Sequence, residues 1–170
     1  RPRIEFLWLL LVPMLALLPR MPEPRNGSAT ALLAQPKISE SEEWTPVTVD
    51  RMMRRQVALS LQAALAQTGQ APPELVIWPE VPAPLYYYDD ERFRKYADDL
   101  ARLSGAYLLI GIVAHTPEGA PLNSATLISP TGTPISRYDK VNLVPFGEFV
   151  PWPFGFANKI STEIGDFAPG

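Results

Sequence analysis

Two apolar runs without alternation, Leu75–Trp78 and Tyr107–Val113, do most to restrict the fold open to this chain. A strand wet on one face alternates polar and apolar residues, so an unbroken run is expected in a strand buried on both faces. Each run follows a stretch with helical spacing. Thr45-Pro46 suits a helix start, threonine as cap and proline in the first turn. Val49, Met53, Val57, Leu61, Ala64 and Leu65 then recur on one face until Gly69. Asp89 or Asp90 caps a second helix, with Phe93, Tyr96, Ala97, Leu100 and Leu103 inward and Gly105 as its stop. Ala29–Ala34 is a short strand candidate. Pro117-Glu118-Gly119 and Pro130-Thr131-Gly132 turn the chain into Leu122–Ser129 and Ile135–Tyr138 as hairpins. The expected order is strand, helix, strand, helix, strand, strand, strand. That is an α/β fold whose sheet mixes crossover and hairpin connections.

Composition narrows the function. The 170 residues are 46% hydrophobic and 19% charged, enough for one domain with a core and too apolar for disorder. A net charge of −3 with no basic stripe gives no nucleic-acid partner. The chain has no cysteine, which removes disulfides, thiolate metal sites and any cysteine nucleophile within these residues. His115 is the sole histidine, so no histidine pair exists for a metal, and it reads as a loop residue satisfied by the backbone. The 20 prolines are scattered and punctuate loops.

Ile4–Leu18 is nearly all apolar, yet a helix over it rises only about 22 Å against a bilayer core of about 30 Å. Three readings compete: the end of a membrane helix with Trp8 and Arg20 near interfaces, a signal-peptide core, and a buried helix. The first is preferred, because a signal peptide needs a long spacer after Leu18 and its cleavage would cut into the strand that follows. The start at Arg1 and the stop at Pro169-Gly170 in mid-phrase also read as an internal fragment. Residues 1–20 are then the end of a transmembrane helix, 21–28 a linker and 29–170 the globular part. In the polar Lys37–Pro46 segment, Trp44 reads first as a cap over the core and second as a mobile lid.

The stretch Tyr138–Pro151 fits no regular element. It sets Lys140 and Glu148 on either side of an apolar run broken by Pro145 and Gly147. A lysine near apolar surface needs an anion beside it. Glu80, which closes Leu-Val-Ile-Trp-Pro-Glu at the end of a buried strand, is the intramolecular candidate. A structural salt bridge under a loop and a catalytic site are the two readings. Open α/β sheets carry their sites at such strand ends.

Trp78-Pro79-Glu80, Tyr138-Asp139-Lys140 after a Pro-Thr-Gly hairpin, and Leu143-Val144-Pro145-Phe146-Gly147-Glu148-Phe149-Val150-Pro151 resemble the nitrilase superfamily, and within it the apolipoprotein N-acyltransferase branch. The resemblance covers most of Ala29–Gly170. It implies a four-layer αββα sandwich, present here in part, that follows a membrane helix. It implies a Glu-Lys-Cys triad with Glu80 as general base and Lys140 as the cation for the tetrahedral oxyanion. Burial in an apolar cleft is expected to raise the Glu80 pKa. Glu148 matches a further functional glutamate that orients the lysine or the acyl carbonyl, and Trp44 matches a lid tryptophan more loosely.

The branch takes an acyl chain from a phospholipid, holds it as a cysteine thioester and passes it to the N-terminal amine of a diacylglyceryl apolipoprotein. It needs no cofactor or metal and works at the bacterial inner membrane, facing the periplasm. The missing cysteine is expected beyond Gly170, so the 170 residues alone are expected to be inactive and unstable. The rivals are a soluble nitrilase-type amidase and a catalytically dead domain that binds lipid or a partner.

Overall fold

A computed structural model describes Leu9 and residues 27–36, 43–66, 71–80, 86–151 and 166–170. Its elements are β1 (Ala31–Leu33), α1 (Pro46–Leu65), β2 (Leu75–Ile77), α2 (Glu91–Ser104), β3 (Tyr107–His115), β4 (Pro121–Ile128) and β5 (Pro134–Asp139). They form a five-stranded sheet in sequence order. β1, β2 and β3 run parallel, with Leu32 beside Val76 and Val76 beside Leu108. β3, β4 and β5 run antiparallel, with Ile112 opposite Ser124 and Ala125 opposite Tyr138.

Local chemistry sets the helix ends. Thr48 N donates to Thr45 Oγ1 (3.2 Å) while Thr45 N donates to Thr48 Oγ1 (2.8 Å), a reciprocal cap ahead of Pro46. Asp90 accepts from the N–H groups of Arg92 and Phe93 and starts α2. Gly105 ends it with a left-handed φ of 65°, which glycine adopts without Cβ strain.

The core lies between the helix pair and one face of the sheet. Val76, Leu108, Ile110, Ile112 and Ile128 from the strands meet Met53 of α1 and Phe93, Ala97 and Leu100 of α2. Each of the larger side chains among these contributes about 1.5–3 kcal/mol on burial. The expectation of strands buried on both faces holds for one face only. Leu75, Ile77 and Leu109 are half-buried, and Leu33 is 73% exposed. Strand order β1-β2-β3 with two crossovers of one hand brings both helices to the same side, leaving the other side without a helix layer among the described residues.

The helix stripes are also rotated from the expected ones. Leu65 and Leu103 are largely exposed, while Gln56 and Ser60 are buried. Both polar residues serve neighbouring segments: Gln56 Nε2 donates to the Ala34 carbonyl (2.8 Å), and Ser60 Oγ accepts the Trp78 indole N–H (3.0 Å). The apolar stretch Ile4–Leu18, apart from Leu9, and the linker 21–28, apart from Gly27 and Ser28, lie outside the described residues. Among the described residues, no helix is long and apolar enough to cross a membrane.

Candidate active site

Three loop ends converge beyond the carboxyl ends of the parallel strands. Glu80 arrives on Trp78-Pro79, whose position is fixed three ways. Trp78 N donates to the Leu109 carbonyl (2.9 Å), its ring is buried, and its indole N–H is held by Ser60. Lys140 follows β5 directly, its N–H donating to the Asn123 carbonyl (2.8 Å) and so extending the β4–β5 pairing. Glu148 sits in a tight turn in which Gly147 N and Glu148 N both donate to the Val144 carbonyl. Phe146, at a φ of 62°, takes the left-handed conformation in that turn. The Glu148 side chain closes the turn, Oε2 accepting from Val144 N (2.7 Å).

The three charged residues expected to form the site do meet. Lys140 Nζ lies 3.1 Å from Glu80 Oε1 and 3.0 Å from Glu148 Oε1. Asn123, a residue that sequence reasoning passed over, completes the arrangement. Its Nδ2 donates to Glu80 Oε1 (2.8 Å) and also to Glu148 Oε1. Ammonium and carboxamide thus each bridge the same two carboxylate oxygens. Both bonds to Glu80 fall on Oε1, and among the described residues none reaches Oε2. A signal for Asn123 existed: asparagine is uncommon inside a buried strand, and a buried carboxamide has to be satisfied.

The electrostatics correct one expectation. Glu80 is not desolvated upward. Its side chain is 67% exposed, and the Asn123 and then the Lys140 hydrogen bonds hold its carboxyl below the ordinary value. For Glu148, burial pushes upward, but the Val144 N–H, Lys140 and Asn123 together bring it below the usual value. The Glu148 and Glu80 hydrogen bonds raise the Lys140 ammonium, which is therefore charged throughout the neutral range. The cluster borders an open cavity of about 460 Å³ walled by Trp78, Leu109, Gly111, Ala125, Tyr138 and Asn142. Its walls are mainly apolar, its one end cationic and acidic. Among the described residues no group of acidic, histidine or cysteine side chains could hold a metal.

Three further residues lie around or apart from this cluster. Trp44 stands just before the Thr45 cap, is 39% exposed and is not among the residues walling this cavity. His115 is satisfied by a carboxylate, not by backbone: Nδ1 lies 3.0 Å from Asp89 Oδ2, and the ring stacks on Tyr86. Tyr87 is fully buried with its hydroxyl on Asp98 (2.7 Å), so it packs the core.

Comparison with known proteins gives a consistent picture. The carbon-nitrogen hydrolase family matches residues 34–168. The chain is 36% identical over 173 residues to the apolipoprotein N-acyltransferase of Geobacter metallireducens, covering 98% of this chain and 32% of that protein. It is 33% identical over 165 residues to that of Rhizobium meliloti, covering 86% and 29%. An amidase from Nesterenkonia sp. shares the fold at a TM-score of 0.55 and 18% identity, over 86% of this chain and 50% of that one. The chain therefore spans about a third of the length of the curated relatives it matches.

Proposed function

Because the chain belongs to the carbon-nitrogen hydrolase family, we propose that the Glu80–Lys140–Glu148 cluster is the base-and-oxyanion part of an apolipoprotein N-acyltransferase site. The observation that carries this reading is a lysine gripped by two carboxylates at the mouth of an apolar cavity. The helix layer on one sheet face fits one half of an αββα sandwich, and the second half would pack on the open face.

In the proposed reaction the nucleophile is a cysteine thiol outside these 170 residues. Glu80 Oε2 takes the thiol proton, and the thiolate attacks the ester carbonyl of a phospholipid. Negative charge moves to the carbonyl oxygen, where the Lys140 ammonium stabilises it. The tetrahedral intermediate collapses, the lysophospholipid alkoxide leaves with the proton from Glu80, and a thioester remains. The N-terminal amine of a diacylglyceryl apolipoprotein then attacks the thioester, giving up its proton to Glu80, which returns it to the departing thiolate. Glu148 keeps Lys140 charged and in place. Covering this sheet face, by the second half of the sandwich and by a bound acyl chain, removes water from Glu80, so its basicity rises when substrate is bound. No metal or cofactor is required. The reading places the protein at a bacterial inner membrane with this domain on the periplasmic side.

The test is acyl transfer from phospholipid to a diacylglyceryl lipopeptide by the full-length protein. Glu80→Gln and Lys140→Met are each expected to reduce turnover by about 10²-fold or more, and residues 1–170 alone are expected to transfer nothing. Activity in the isolated 170 residues, or full-length protein that cleaves short amides and ignores phospholipid, would overturn the assignment.

A further inference from the structure

We propose that residues 167–170 form a strap that sets the position of Lys140 against its carboxylates, with Gly170 as the positioning residue. Three backbone N–H groups of this segment reach three parts of the site. Phe167 N donates to the Glu148 carbonyl (2.9 Å), Ala168 N to the Pro121 carbonyl (2.8 Å) and Gly170 N to the Lys140 carbonyl (3.0 Å). Pro169, which has no N–H to give, falls between the second and third donors. The strap thus ties the residue after β5, the start of β4 and the Glu148 turn together from one side.

Gly170 is where this arrangement has no slack. A Cβ there would lie 2.5 Å from both Asp139 Cβ and Asp139 O, and 2.6 Å from the Asp139 carbonyl carbon. These are backbone and near-backbone atoms, so no side-chain rotation relieves the clash. Asp139 is itself pinned. Its Oδ1 accepts from Ser124 Oγ (2.6 Å), and its Oδ2 pairs with Arg137 Nη2 (3.0 Å). Relief has to come from the Asp139–Lys140 peptide. That peptide carries the N–H bound to the Asn123 carbonyl, and Asn123 in turn bridges Glu80 and Glu148. A methyl group at 170 therefore propagates to the ammonium.

The kinetic part of the test rests on the acyl-transfer reading; the spectroscopic part does not. In the full-length protein, Gly170→Ala is expected to lower kcat on the order of 10–100-fold with KM within about twofold, as a displacement of about 1 Å at a catalytic group does. Isotope-edited infrared titration of 13C-labelled glutamate, assigned with Glu80→Gln and Glu148→Gln, is expected to show both carboxyls titrating higher as the ammonium withdraws. Folded Gly170→Ala protein with unchanged carboxyl titration overturns the proposal, whatever the wild type does to phospholipid. If Gly170→Ala does not fold, Phe167→Pro decides. It deletes one strap bond without crowding Asp139, and its Glu148 carboxyl is expected to titrate away from the wild-type value. No change there also overturns the proposal.

Discussion

Lys140, Glu80 and Glu148 were legible one by one, because a charge at the end of an apolar segment stands out. Asn123 was not, since its meaning lies in what it touches across 43 residues to Glu80 and 25 to Glu148. Its substitution separates the charge from the scaffold. Asn123→Leu removes a donor from both carboxylates and is expected to cost about 1–3 kcal/mol at neutral pH, read by urea unfolding. The pH dependence has a definite sign. Glu80 and Glu148 both have folded pKa values below the ordinary 4.5. Their contribution is therefore present above about 4.5 and lost as pH falls through the depressed values. Asn123→Leu brings Glu80 back toward its ordinary pKa, so stability should fall less steeply in acid. A slope below pH 4.5 as steep as that of the wild type would remove Asn123 from this role.

At the level of elements, caps and turns came through and helix rotation did not. Thr45, Asp90 and Gly105 act within a few residues of themselves, so their chemistry is written locally. Which side of α1 faces inward is decided by partners elsewhere. Ser60 is buried because the Trp78 indole needs an acceptor, and Leu65 is left outside. On the proposed function this pairing also matters to the site, since Trp78 holds the segment that delivers Glu80. Ser60→Ala strands the indole N–H and is expected to destabilise by about 1–3 kcal/mol, measured as a lower urea midpoint. It should also reduce turnover of the full-length protein, while Thr45→Ala, with a cap loss of about 1 kcal/mol, should leave turnover nearly unchanged. Equal effects on turnover would show that Ser60 supports stability alone.

Across the whole molecule, one sheet face is closed by α1 and α2 and the other presents Leu33, Tyr107 and Tyr138 at 73%, 44% and 62% exposure. An apolar face of that kind binds apolar probes or associates. Residues 1–170 alone are expected to raise the fluorescence of a hydrophobic dye and to elute larger than a monomer, whereas the full-length protein should do neither. A dye-silent, monomeric fragment would mean that this face is covered from within residues 1–170.

The amino-acid sequence by itself determined the order of strands and helices, the caps, the mixed sheet and the three charged residues that meet in the proposed site. Each of these follows from periodicity, from a neighbour within one turn, or from a charge out of place in an apolar run. Only the tertiary structure decided that both helices lie on one sheet face, that Asn123 joins the carboxylates, that Glu80 is held acidic, and that Gly170 stands against Asp139. Those properties belong to pairs of residues distant in the chain. Their energies depend on distance and exposure, which a linear pattern does not contain.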